Sequence, residues 1–263
     1  MPEAVTRSVL RRGVNCDLGE SYGRLRVGFD DEVMPFLSTA NIACGYHGGD
    51  PSTMRRAAES AVEHGVLCGA HPSLPDLQGF GRRRMDVSPT ELTDMVIYQI
   101  GALQAILGAV GTSLSHVKAH GVLYSMTWEP DLAHAFADAI EAIDPGLPWI
   151  AMTDTPTFAI AQERGLNPVP EFTADRDYSS DGRLIITRSP GPVDVEQMSR
   201  RVRDVVSTGS TLASDGVTRL SFQTDVVCMH SDGPNAPEVA ARLWSILTHD
   251  GHQPWASPVG FNS

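Results

Sequence analysis

The sequence predicts an α/β protein built as a seven-stranded, distorted or incomplete βα barrel. Three observations carry that expectation. Seven short apolar runs of strand character are spread over 263 residues. Segments with helical periodicity separate them, and polar side chains recur where the runs end. Strands alternating with helices imply a parallel sheet, and this length favours a closed or nearly closed barrel over an open doubly wound sheet. No linker, low-complexity tract or solenoid period interrupts the chain, so one domain over 1–263 is expected.

The strand runs lie near Gly13 to Cys16, Ala40 to Cys44, Val66 to Ala70, Ser115 to Ala119, Trp149 to Met152, Pro168 to Phe172 and Asp225 to Met229. Between the second and third, Asp50-Pro51 supplies an N-cap and an N1 proline, Met54, Ala58, Ala61 and Val62 share a face, and Gly65 closes the helix. Ser88-Pro89-Thr90-Glu91 is a capping box opening a longer helix, with Leu92, Val96, Ile100, Leu103, Leu107 and Val110 on one stripe before Gly111. Weaker helical patterns cover Asp131 to Ile143, Pro156 to Arg164, Val193 to Ser207 and Pro237 to His249. Three connections are long: Asp17 to Ser38, with a short helical stretch near Asp31; His71 to Val87; and Thr173 to Pro192, with a turn at Asp181-Gly182. Each leaves the carboxyl end of a strand, the face on which barrel active sites are built.

Composition excludes several functions. A net charge of -12, from 32 acidic and 20 basic residues, argues against a nucleic-acid binder, and Arg82-Arg83-Arg84 is too short to line a groove. Met1 to Arg12 has no apolar run of signal-peptide length, and no stretch reads as long enough to span a bilayer, so a cytoplasmic protein without membrane contact is expected. Cys16, Cys44, Cys68 and Cys228 each sit in a strand run without Cys-x-x-Cys spacing, which reads as reduced core thiols.

The strand ends carry the chemistry. Asp17 ends the first run with Glu20 three residues on as its partner, His47 and His71 follow the second and third, and His230 ends the last. Lys118 and His120 stand two apart on the fourth run and so share a face; a lysine inside a buried strand is costly unless paired. Glu171, Asp175 and Arg176 lie at the sixth run, and Asp232 follows His230, where it could orient a histidine or act as a base. His64, His116, His134, His249 and His252 read as ordinary solvated or capping residues.

The blocks Asn15-Cys16-Asp17-Leu18-Gly19-Glu20 and Ala40-Asn41-Ile42-Ala43-Cys44-Gly45-Tyr46-His47-Gly48-Gly49-Asp50-Pro51 strongly resemble the LamB/YcsF family. Gly69-Ala70-His71-Pro72, Pro75-Asp76-Leu77-Gln78-Gly79-Phe80-Gly81-Arg82-Arg83, Val117-Lys118-Ala119-His120-Gly121-Val122-Leu123-Tyr124, Glu171-Phe172 with Ala174-Asp175-Arg176, and His230-Ser231-Asp232-Gly233-Pro234 continue the likeness in order. Departures are small: Ala119 stands where proline is common, Tyr46 replaces phenylalanine, and Gly48 stands where alanine is common.

The resemblance implies a barrel like that of the glycoside hydrolase and deacetylase folds. It implies opening of the 5-oxoproline lactam to L-glutamate with ATP as co-substrate, in a complex with 5-oxoprolinase subunits B and C. That chemistry needs a base for water, a proton donor for the departing nitrogen, and donors for phosphate and the developing oxyanion. Asp17 is the best base or a metal ligand; Glu20, His47, His71, Lys118, His120 and Asp232 complete the catalytic candidates. Arg82, Arg83, Glu171, Arg176 and His230 are candidates for holding substrate or phosphate. A divalent metal, if bound, would sit on Asp17, His47 and His71, as in deacetylase-like folds. No Gly-x-x-x-x-Gly-Lys-[Ser/Thr] run places the nucleotide. The alternatives are a metal-dependent carbohydrate deacetylase and a non-catalytic scaffold subunit.

Overall fold

The computed structural model describes residues 13–187 and 190–249. The strands are β1 (Gly13–Leu18), β2 (Thr39–Ala43), β3 (Leu67–His71), β4 (Leu114–Val117), β5 (Pro148–Ala151), β6 (Asn167–Thr173), β7 (Ser210–Leu212), β8 (Arg219–Ser221) and β9 (Val226–His230). β1 to β6 and β9 close a parallel barrel in that order, with β9 returning beside β1, while β7 and β8 pair as a separate antiparallel hairpin. The helices are α1 (Asp30–Val33), α2 (Pro51–His64), α3 (Pro89–Ala109), α4 (Gly121–Met126), α5 (Pro130–Ile143), α6 (Pro156–Glu163), α7 (Val195–Thr208) and α8 (Ala236–His249).

All seven expected runs are barrel strands. The barrel is closed rather than incomplete, and its distortion is local. The β3–β4 register shifts between Cys68 and Gly69, and β4 meets β5 through one registered pair, Val117 opposite Trp149. The helix starts follow from their caps. Asp50 Oδ1 accepts from the backbone N–H of Ser52 and Thr53 at 3.0 and 3.3 Å, and Ser88 and Glu91 complete their reciprocal box, each cap contributing about 1 kcal/mol. The turn at Asp181-Gly182 forms too, bridged by Tyr178 and Leu184.

Three features differ from expectation. α3 is, by length and a mean hydropathy of 1.3, the one helix among the described residues apolar enough to cross a bilayer, yet Leu92, Val96, Ile100, Leu103 and Leu107 form a fully buried inner stripe. α4 has no side-chain cap to announce it, and the three-residue strands of β7 and β8 are too short for readable alternation. β4 ends at Val117, so Lys118 lies just beyond the strand and His120 is the residue before α4 rather than a strand position.

Register sets the site. Asp17 pairs with His230 on β9 and with Asn41 on β2, Asn41 with Gly69, and Gly69 with His116, so these five residues share one level of the barrel. Side chains two apart on a strand share a face, which puts Asn15 and Asp17 inside together. There Asn15 Nδ2 donates to Thr39 Oγ1 at 2.7 Å, and Asn41 Nδ2 donates to Asn15 Oδ1 and Asp17 Oδ1, both at 2.6 Å. The barrel interior is therefore polar beneath the site, and its apolar core lies mainly between strands and helices.

Candidate active site

Above that layer, at the carboxyl ends of the strands, a small cleft is lined by Asp17, Arg82, Lys118, His120, Tyr124, Glu171, Arg176 and His230, with Leu184, Ile186 and Thr187 from the loop after β6. Lys118 Nζ lies at its floor, 3.0 Å from Asp17 Oδ1, 3.1 Å from Glu171 Oε2 and 2.9 Å from Cys228 Sγ. Burial works against the ammonium, but Asp17, Cys228 and Glu171 outweigh it and raise the lysine well above its ordinary pKa. Glu171 is buried, with Tyr124 as a second hydrogen-bonding neighbour beside Lys118.

Asp17 sits among nitrogens. Besides Asn41 and Lys118, His71 Nε2 lies 3.1 Å and His230 Nε2 3.3 Å from its Oδ2. Burial alone would raise this carboxyl; His71, Lys118 and His230 hold it well below the usual carboxylate range instead. The His230 ring is held from its other side, Nδ1 lying 3.0 Å from Asp175 Oδ1 while its backbone N–H donates to Asp175 Oδ2 at 3.1 Å.

The arginines divide. Arg176 donates to Asp175 Oδ2 at 2.7 Å and to Asp232 Oδ1 at 3.0 Å, so its guanidinium is engaged by two carboxylates. Arg82 donates to Asp232 Oδ2 at 2.7 Å and to Thr187 O at 3.0 Å, with its guanidinium 4.9 Å from the Phe80 ring centre. Asp232 thus bridges two arginines rather than orienting a histidine. Arg83 pairs with Asp76 on a half-exposed side chain and does not line the cleft.

A second cluster lies behind His71. Glu20 does not partner Asp17; its Oε1 is 3.0 Å from His47 Nε2 and 3.2 Å from His120 Nδ1, and His120 Nδ1 is 3.0 Å from His71 Nε2. Burial would raise Glu20, but the hydrogen bonds from His120 and His47 hold it well below the usual range. Burial, reinforced by His120, pushes His47 down to about 3, and burial likewise lowers His120. Glu20, His47, His71 and His120 offer ligand atoms all within 4.8 Å of one another, so this buried set could hold a divalent metal. The expected trio of Asp17, His47 and His71 does not converge in that way, because His71 stands between the other two.

Several participants were not singled out from sequence. Phe80 adopts a positive φ of 57°, uncommon for a residue with a side chain, and so turns its carbonyl 2.8 Å from His120 Nε2 and its ring edge to His47. Gly81 follows at φ 63°, where a Cβ would sit 2.7 Å from His120 Cδ2. His116, expected to be solvated, is fully buried: its Nε2 is 2.7 Å from Asn41 Oδ1, and its ring covers Gly69, where a Cβ would lie 2.1 Å away. The two glycines inside the Gly-Phe-Gly run and the bare Gly69 were the available signals. His64 and His134 are exposed as expected; the His249 side chain and His252 lie outside the described residues.

Comparison with known proteins fits this architecture. The LamB/YcsF family profile matches residues 13–258. The chain belongs to the LamB/YcsF family. Within that family it is 47% identical over 241 residues to the 5-oxoprolinase A subunit of Mycobacterium avium and 44% to that of Bordetella pertussis, each alignment covering 90% of this chain and 95% of the relative. The counterpart from Pyrococcus abyssi, which bears the same name, is 42% identical over 92% of this chain and 96% of its own. A crystal structure of the lactam utilization protein from Thermus thermophilus superposes with a TM-score of 0.83 at 42% identity, covering 92% of this chain and 97% of that one. All four buried cysteines are unpaired, as read from their spacing.

Proposed function

We propose that this LamB/YcsF chain is the A subunit of an ATP-dependent 5-oxoprolinase, opening 5-oxoproline to L-glutamate together with subunits B and C. The observation that carries the reading is the cleft floor, where Lys118 is held between Asp17 and Glu171 beside the His230–Asp175 pair. Alternating cations and carboxylates in a small cleft suit a compact anionic cyclic amide. The 5-oxoprolinase name of the relatives and the lactam named for the Thermus protein support the same substrate.

Transfer of the γ-phosphoryl group of ATP to the lactam oxygen gives an O-phosphorylated imidate. Water then adds to the ring carbon, and cleavage of the C–N bond releases the amine as γ-glutamyl phosphate, which a second water hydrolyses to glutamate and phosphate. His230 takes the proton from water and returns it to the departing nitrogen, with Asp175 fixing its ring from behind. Asp17, surrounded by nitrogens and held ionised, is a weak base, so its part is to anchor Lys118 and His230. Lys118, Arg82 and Arg176 stabilise the charge growing on oxygen and phosphate. Glu171, a buried carboxylate lining the cleft, accepts the lactam N–H. A divalent ion at the Glu20 cluster would supply Lewis-acid polarisation or a water of lowered pKa. An ATP-coupled activity suits the cytoplasm, and four free buried thiols suit a reducing compartment.

The test is glutamate formation and phosphate release by the purified chain, alone and with subunits B and C. Glutamate made without ATP, or absent with all three subunits present, sinks the reading. The histidine cluster also suits a metal-dependent carbohydrate deacetylase, which would release acetate from acetylated sugars without ATP.

A further inference from the structure

The hydrogen-bond partners of two histidines fix their tautomers. His71 Nδ1 faces the backbone carbonyl of Lys118 at 2.8 Å, and His120 Nε2 faces that of Phe80 at 2.8 Å. A carbonyl only accepts, so each of these nitrogens carries its hydrogen, and in the neutral rings the opposite nitrogens carry lone pairs. Those lone-pair nitrogens, His71 Nε2 and His120 Nδ1, lie 3.0 Å apart. Asp17 Oδ2 is 3.1 Å from the first and Glu20 Oε1 3.2 Å from the second.

With both rings neutral these four atoms are all acceptors, and the hydrogen bonds from His71 to Asp17 and from His120 to Glu20 each need an extra proton on a ring buried away from water, which is costly. A cation removes that conflict. Nitrogen and oxygen ligands bound at about 2.0–2.2 Å stand about 2.8–3.1 Å apart at right angles around an ion and about 3.3–3.6 Å apart around a tetrahedral one, and the 3.0–3.2 Å found here is close to that range. The two rings are also nearly perpendicular, at 86°, so an ion can lie in the plane of both. His47 is different: its ring stacks on His120 with 3.6 Å between centroids and 2° between planes, and an ion in the plane of one cannot lie in the plane of the other. His47 instead donates Nε2–H to Glu20 Oε1, leaving Nδ1 buried and unpartnered.

We propose that Glu20, His71 and His120 ligate one divalent first-row transition cation as a two-histidine, one-carboxylate site. His47 and the carbonyls of Lys118 and Phe80 orient those ligands. Backbone carbonyls holding the far nitrogens of ligating histidines are the usual outer support of such a site. The site adjoins the cleft through Asp17, which touches both His71 and the Lys118 ammonium.

The experiment uses the full chain, stripped by dialysis against a chelator and titrated with zinc by calorimetry and with cobalt by visible absorption. The expected result is one ion per chain, ligand-field bands for cobalt, and zinc affinity lowered at least about 100-fold in Glu20→Gln and His120→Asn. His47→Asn should weaken binding about 10–100-fold, the usual effect of losing an orienting partner, and His64→Ala, on an exposed histidine, should leave it unchanged. Variants are compared only if their far-ultraviolet circular dichroism matches the wild type. Should none fold, an anomalous-scattering peak between His71 and His120 in zinc-loaded wild-type crystals decides for the site, and its absence there against it. A stripped wild-type chain that takes up no ion, or folded Glu20→Gln and His120→Asn chains that bind as tightly as wild type, would overturn the proposal. Binding is read without turnover, so its failure leaves the lactam reading standing, and a failed glutamate assay leaves the metal site standing.

Discussion

The two halves of the site bury ionisable groups by opposite means. On the cleft side, charge is met by charge: Lys118 lies between Asp17 and Glu171, Asp175 between His230 and Arg176, and Asp232 between Arg82 and Arg176. On the other side burial lowers His47 and His120, so their rings are kept neutral, and one carboxylate, Glu20, serves both. The first arrangement leaves fixed charges ready for an anionic substrate, whereas the second leaves lone pairs ready for a cation. Asp17 and His71, 3.1 Å apart, are where the two meet.

The sharpest way to break this contrast is to remove the central cation. Lys118→Met leaves Asp17 and Glu171 buried and facing each other, and breaking a buried ion pair from one side costs about 3–5 kcal/mol. Urea unfolding should show a loss of that size, together with loss of glutamate formation in the complete complex. A loss below about 1 kcal/mol would mean that charge pairing does not organise this half.

His230→Asn tests the same half through chemistry. The His230 side chain is partly exposed, so its removal should disturb folding little while turnover falls about 10²–10⁴-fold, the usual worth of a positioned proton-transfer group. The Michaelis constant for 5-oxoproline should barely move. If the constant rises while turnover holds, His230 binds substrate instead of moving protons.

How much of this was legible in the sequence follows from what is local. Caps, prolines and apolar stripes act within a few residues, so the helices opened by Asp50 and Ser88, and all seven barrel strands, could be read directly. That polar groups would gather at the strand ends followed from parallel topology alone. Which of them touch did not, because it depends on register and loop path. Glu20, three residues from Asp17, is carried by the loop to His47 and His120, and Asp232 reaches Arg82 across 150 positions of sequence. His116 looked solvated because nothing near it reveals that it sits level with Asn41 over the bare Gly69. Phe80 was hidden for another reason: its role lies in its carbonyl and backbone angle, which side-chain chemistry does not announce.

On the histidine side the contrast predicts a pH dependence. Burial, with Lys118 and His71 adding to it, lowers His116 to about 3 in the folded chain, while the unfolded value is about 6.5. A group depressed on folding contributes stability that is complete above the unfolded value and is lost as pH falls toward the folded one. Between about pH 6.5 and 4.5 each such histidine should therefore cost up to about 1.4 kcal/mol per pH unit. His116→Gln should flatten the slope by that much in urea unfolding series over this range. An unchanged slope would mean that His116 takes up its proton without resistance, and that burial does not keep this half neutral.

A pair of glycine substitutions probes the smallest effect, the close packing that lets a loop seal the histidines. At Gly81 the backbone is left-handed, and a Cβ would lie 2.3 Å from Ser73 Oγ and 2.7 Å from His120 Cδ2. Gly81→Ala should destabilise the chain by about 1–3 kcal/mol through strain and displacement of His120. Gly101, inside α3, has nothing within 4 Å of the same added atom. Its substitution only removes the backbone freedom that glycine keeps in the unfolded chain, so Gly101→Ala should stabilise by about 0.5–1 kcal/mol. Opposite signs in thermal melts would tie the Gly81 cost to its left-handed backbone and close packing together. If both variants gained stability, the Phe80–Gly81 loop would have room to relax, and the carbonyl that fixes the His120 tautomer would not be rigidly held.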